Sequence, residues 1–192
     1  MTTDADVKRA ALGAILASAA TEGFTPAMAR AADGEGVFEG DLAAVMTFWS
    51  AEVDAELERR LQAMDMTALS IRKRIRTGVL TRLAILKPHK EAARKAVLLP
   101  QSVMASAESL WQSADILWRA AGDQATDFNF YTKRVSLAAV LSTTMIAWFG
   151  DDSDDEAPTA QFLDARIANV LQFEKLKARV QEACSPAPGK PS

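Results

Sequence analysis

The chain has 192 residues, 49% of them hydrophobic, which suffices for one domain with a well-filled core. Its 22 basic and 25 acidic residues give a net charge of −3, so no global field draws it to nucleic acid or anionic lipid. One cysteine, Cys184, and one histidine, His89, exclude an internal disulfide and a Cys/His zinc site.

The N-terminal residues do not read as a secretory signal, because Asp4 and Asp6 precede an apolar part with helical period. The uncharged run from Val135 to Phe149 is fifteen residues, too short to span a bilayer. A soluble, cytoplasmic protein is expected, with at most a peripheral contact at the inner membrane.

Strand signals are almost absent and apolar residues recur near every 3.6 positions, which predicts an all-α fold. A first helix is expected from about Asp6 to Ala20, ending at Glu22-Gly23-Phe24. Thr25 caps a short second helix with Pro26 at its first position, and Asp33-Gly34-Glu35-Gly36 stops it. Asp41 starts a long third helix whose seam is Leu42, Val45, Met46, Trp49, Val53, Leu57 and Leu61. Thr67 is the predicted cap of a fourth, striped by Ile71, Ile75, Gly78, Val79 and Leu86 and ended by Pro88. A short helix runs from His89 to Leu99, with His89 at its exposed start. The next, Ser102 to Ala120, turns Val103, Ala107, Leu110, Ala114 and Leu117 to the core. It sets Met104, Trp111 and Trp118 along an edge, and Glu108, Gln112, Asp115 and Arg119 toward water.

The stretch Ala121 to Phe149 organises the C-terminal half. A polar turn, Gly122-Asp123-Gln124, leads into a helix roughly 30–35 Å long at ~1.5 Å per residue. One broad half of that helix is apolar; the rest is small and weakly polar, a surface that a neighbouring helix can approach closely. Arg134 interrupts the apolar half and needs a partner, for which Asp127 and Asp164 are the candidates. The run DDSDDE from Asp151 to Glu156 reads as a solvated loop whose charges suit the N-terminus of a last helix beginning near Pro158. The predicted organisation is a single domain over 1–184, with a small helical unit at 6–40, a bundle at 41–184, and a disordered tail at 185–192.

DNA binding is not expected. Only one helix fits between Thr25 and Asp41, and from Glu22 to Glu58 Arg30 is the one base among nine acids. Nor is an enzyme expected: His89 sits among bases, and there is no Glu-x-x-His pair, phosphate loop, nucleophile elbow or complete EF-hand loop. No catalytic residue, metal or cofactor is therefore assigned. Arg72-Lys73-Arg74 with Arg76 and Arg82 reads as a solvated helix face, or as a contact for anionic headgroups or an acidic partner. Aromatic and aliphatic residues crowd the C-terminal half. Periodicity alone does not separate a bundle core with a dimer seam from a ligand pocket.

The run AGDQATDFNFYTKR, followed by small and apolar residues, an acidic run and FLDARI, resembles the C-terminal signature of the Coq-nine family of ubiquinone-biosynthesis accessory proteins. The specific likeness covers roughly Trp111 to Ile167, and a weaker one, through IRKRIRTGVLTRL and a first helix followed by GFT, covers most of the chain. The resemblance implies a TetR-like helical bundle with a degenerate N-terminal helix-turn-helix unit, dimerising through its last two long helices. It implies a lipid-binding protein that holds an isoprenoid quinone intermediate and presents it to demethoxyubiquinone hydroxylase.

On that reading Val79, Leu83, Leu110, Val135, Ala138, Leu141, Met145 and Ile167 line the lipid pocket. Leu117, Trp118, Asp127, Phe130, Tyr131 and Arg134 carry the partner-docking patch. Phe130 stands where the family usually has tryptophan, so it keeps the aromatic anchor without the N–H donor. The amphipathic helix by which eukaryotic members dock on membranes is not expected after FLDARI. Two other classes stay open: a TetR-type ligand-responsive regulator, and a lipid-free dimeric scaffold for a biosynthetic complex.

Overall fold

The computed structural model describes residues 3–99, 102–123 and 128–184, and among them every regular element is helical. Helix α1, Asp4–Glu22, opens with a reciprocal cap. The Thr3 hydroxyl accepts the Asp6 N–H, and the Asp6 carboxylate accepts the Thr3 N–H. Thr25 caps α2, Pro26–Ala32, by accepting the Met28 N–H at 3.1 Å. Asp41 caps α3, Leu42–Gln62, through the N–H groups of Ala43 and Ala44, and all seven seam residues are buried.

No helix lies between Ala32 and Leu42. The buried Asp33 carboxylate instead accepts the N–H groups of Val37 and Phe38, winding that segment into a tight loop. Gly40, at φ +81°, brings this loop against the start of α2, where an added Cβ would stand 2.6 Å from the Pro26 carbonyl oxygen.

The cap of α4, Ile71–Leu86, is Ser70 rather than Thr67. Thr67 is already engaged: the Asp65 carboxylate accepts its hydroxyl and its N–H, and the chain turns there before the helix starts. Ile71, expected in the buried stripe, is 54% exposed because it lies on the first turn, ahead of the helix crossings. Lys87–His89 forms a 3-10 turn that leads straight into α5, Lys90–Ala96. His89 is half-buried, edge-on to the Trp49 ring at 6.4 Å, and that burial pulls its pKa below the usual imidazole range. Three long helices follow: α6, Ser102–Ala120; α7, Phe128–Phe149; and α8, Ala157–Cys184.

Two apolar clusters fill the molecule. One joins α1, α2, the first half of α3, the end of α4, α5 and the end of α7. The other joins the second half of α3, the first half of α4, and α6, α7 and α8. Because α3 and α4 run through both, the 6–40 unit shares its core with the bundle. Helices α4 and α6 approach closely at Gly78, where an added Cβ would collide with Leu117 Cδ2.

The acidic run before α8 is only partly solvated. Asp151 is buried and accepts four hydrogen bonds, from the N–H and O–H groups of Ser153 and of Thr159. Those donors hold its carboxyl well below the usual carboxylate range. Glu156 accepts the Trp148 indole N–H at 3.0 Å and pairs with Lys87 at 3.1 Å. The run thus pins the α7–α8 corner to the end of α4. Asp127 and the 185–192 tail lie outside the described residues.

Candidate functional site

The junction of α6 with α7 is built around Arg134. Its side chain is 2% exposed. Nε donates to Asp115 Oδ1 at 2.6 Å, and Nη1 donates to Asp123 Oδ2 at 3.3 Å and to the Phe130 carbonyl at 3.1 Å. Among the described residues, the carboxylate partners are thus Asp115 and Asp123. Asp164, the other described candidate, faces α4 and takes Arg76 at 3.0 Å. Asp115 lies on α6 opposite the second turn of α7, so the residue expected in water is half-buried and shared with Arg119 at 2.9 Å.

Lys133 completes the clamp. It pairs with Asp123 at 2.5 Å, and its carbonyl accepts the Trp118 indole N–H at 2.9 Å. With Arg119 also 3.7 Å from Glu58, three cations and three carboxylates among the described residues join in one network.

Aromatic rings cover this network from outside. Trp111, Phe130 and Tyr131 form a three-ring cluster with centroids 5.2–6.4 Å apart. The Arg134 guanidinium lies 3.4 Å from the Phe130 ring centre. Tyr131 is 60% exposed, and Val135 and Ile146 continue the same exposed strip along α7 at 59% and 64%. Of the residues expected to dock a partner, Tyr131 is therefore open to one. Trp118 and Phe130 are half-buried, while Leu117 and Arg134 are buried and hold the patch up from beneath. Leu117 is inside because α6 must fill the notch left by Gly78. Half-buried Trp111 and exposed Ile146 join this surface and were not among the expected docking residues; their place on the Tyr131 side of the helices was the available signal.

The eight residues expected to line a lipid pocket do not share one cavity. Leu110 and Met145 line a small one of about 80 Å³ between α3, α4, α5, α6 and α7. Ile167 lines a larger one of about 260 Å³, walled by Ile75, Leu137, Val140 and Val170, with Trp118, Arg72 and Lys133 on its border. Val79, Leu83 and Leu141 are buried in the core, Ala138 is half-buried, and Val135 points to solvent. A helical wheel ranks residues by face but does not say which neighbour each face meets. The pairs Leu137/Val140 and Ile167/Val170, each at i,i+3, were the readable trace of the larger cavity.

The basic run is likewise divided. Arg72 and Lys73 are exposed; Arg74 is tied to the carbonyls of Thr67, Leu69 and Ala121; Arg76 is paired; and Arg82 is buried. No helix of the described residues is long and apolar enough to cross a membrane.

Residues 103–174 match the family model described as COQ9. They carry the Arg134 clamp, the aromatic cluster and most of the wall of the larger cavity. By that segment the chain is similar to the COQ9 family. It is similar to the ubiquinone biosynthesis protein COQ9, mitochondrial, of Rattus norvegicus, 40% identical over 102 residues, covering 52% of this chain and 33% of the relative. The Homo sapiens protein of the same name is 38% identical over 102 residues, covering 52% and 32%. A probable ubiquinone biosynthesis protein coq9, mitochondrial, of Dictyostelium discoideum is 27% identical over 120 residues, covering 61% and 39%. The chain thus spans about a third of the length of the curated relatives it matches.

Proposed function

We propose that this protein is a member of the COQ9 family and a non-enzymatic lipid-binding accessory protein of ubiquinone biosynthesis. It holds an isoprenoid quinone intermediate in the 260 Å³ cavity between α4, α6, α7 and α8 and presents it to demethoxyubiquinone hydroxylase. The supporting observation is one of adjacency: Trp118 and Lys133 belong both to the ionic clamp beneath the aromatic cluster and to the border of the cavity. A hydroxylase seated on Tyr131 would therefore lie one helix away from the bound lipid. An engineered cavity of about 150 Å³ accepts benzene. On that scale this one takes a quinone ring or the first isoprene units, and the rest of the tail runs outside.

The remaining strip on α7, around Ala139 and Ile146, serves as the seam with a second copy in a TetR-like homodimer. Exposed Arg72 and Lys73 give the cavity side a peripheral contact with an anionic membrane surface from the cytoplasmic phase.

The test is solvent extraction of gently purified protein followed by mass spectrometry. A near-stoichiometric isoprenoid quinone is expected, and it should vanish in Val140→Trp, which fills the cavity. A clean extract from the unmodified protein would remove the lipid role and leave a lipid-free scaffold.

A further inference from the structure

We infer that the smaller cavity is a binding site for a short-chain monocarboxylate, anchored by Arg82. The cavity, about 80 Å³, is walled by Met46, Trp49, Leu86, Leu110 and Met145, with the guanidinium of Arg82 among them. Arg82 is 6% exposed. Its Nε donates to Ser113 Oγ at 3.0 Å, and its Nη1 lies 3.7 Å from Met145 Sδ, a weak acceptor. Ser113 in turn donates to Asp54 Oδ1 at 2.6 Å, so the nearest carboxylate is held one residue away. Among the described residues, no carboxylate forms an ion pair with Arg82 directly. The contrast within the same molecule is clear: buried Arg134 has two carboxylates on its donors.

A guanidinium carries five donors. Here Nε has Ser113 as its acceptor, and Nη1 has only the Met145 thioether beside it, on the cavity wall. A carboxylate seated there would supply the strong acceptor that the side chain lacks. A carboxylate matches the guanidinium fork with two parallel hydrogen bonds. The walls decide the rest of the ligand. Apart from Arg82, Ser50 and Ser109, the lining is thioether, indole and aliphatic, which suits an alkyl group better than the bare oxygens of phosphate or sulfate. Size limits the chain: at ~30 Å³ per water, the cavity has the volume of roughly two or three waters, the range from acetate to butyrate. Ser50 and Ser109 line both this cavity and a neighbouring polar groove beside Asp54 and Gln112, which gives an entry path. The site shares no lining residue with the larger cavity, so it stands independently of the lipid role.

The experiment is isothermal titration of the full chain with butyrate and with butyramide, its neutral isostere, at matched ionic strength. Butyrate is expected to bind at least ten-fold more tightly. Leu110→Trp, which fills the cavity and leaves Arg82 in place, is expected to weaken butyrate at least ten-fold, with unchanged circular dichroism. Arg82→Lys, which keeps the charge and loses the fork, is expected to weaken it several-fold; if that variant does not fold, the other two comparisons decide. Absence of butyrate binding, equal binding of butyramide, or undiminished binding in Leu110→Trp would each overturn the site. Octanoate binding as tightly as butyrate would overturn the short-chain assignment.

Discussion

Arg134 is a cation in a place that water cannot reach, and it stays there because Asp115, Asp123 and the Phe130 ring surround it. Removing one partner of a buried pair typically costs about 3–5 kcal/mol. In Arg134→Met, Asp123 keeps Lys133 and Asp115 keeps Arg119, so urea denaturation should show a loss near the low end, about 3 kcal/mol. Tyr131→Ala, one clamp neighbour away but exposed, should stay within about 0.5 kcal/mol. Asp151 makes a different prediction, because its carboxyl is held below the ordinary ~3.9. The unfolded chain binds the proton first as pH falls. Its stabilising effect is therefore complete above about pH 5 and declines as pH drops through 4 toward the lower native value. Asp151→Asn cannot titrate, and its single acceptor oxygen cannot serve both Ser153 and Thr159. Its melting temperature should be lower at pH 7 and should fall less steeply than that of the parent between pH 5 and 3. Parallel slopes would show that this carboxylate does not govern the acid limb.

At the scale of helices, the crossing of α4 over α6 turns on Gly78 and Leu117. Alanine in place of a helical glycine gains about 1 kcal/mol of helix propensity, while overpacking a full core costs about 1–3 kcal/mol. Gly78→Ala should therefore destabilise by about 1 kcal/mol. In a Leu117→Ala background the same change should instead stabilise, by up to about 1 kcal/mol, because the obstructing methyl is gone. A double-mutant cycle on urea midpoints reads the reversal of sign. This crossing also marks where sequence reasoning stops. Caps, stops and seams are local, so Thr25, Asp41, the α3 seam and the absence of a helix between Ala32 and Leu42 were all readable in advance. Arg134's need for a partner was readable too. Asp115 as one of its partners was not, because it carries no mark distinguishing a carboxylate under a neighbouring helix from one in water. Leu117 failed as a docking residue for the same reason: periodicity shows that a face is apolar, and only the glycine opposite shows how deeply it sinks.

For the molecule as a whole, the proposed function assigns two tasks to two surfaces of one junction, and these should be separable. Tyr131 projects from α7 into solvent, whereas Val140 lines the 260 Å³ cavity, more than two helical turns further along. Tyr131→Lys places a charge on the exposed rings without entering the core or the cavity. It should reduce capture of the hydroxylase at least ten-fold while the mass of extracted lipid per mole of protein stays unchanged. Val140→Trp should do the reverse, emptying the cavity with capture retained within two-fold. Phe130 is the poorer probe for this purpose: its ring lies under the Arg134 guanidinium, so a lysine there would set cation against cation and disturb the clamp itself. Loss of both properties in both variants would mean that cavity and patch form one cooperative unit. Loss of neither would move the working surface away from the α6–α7 junction altogether.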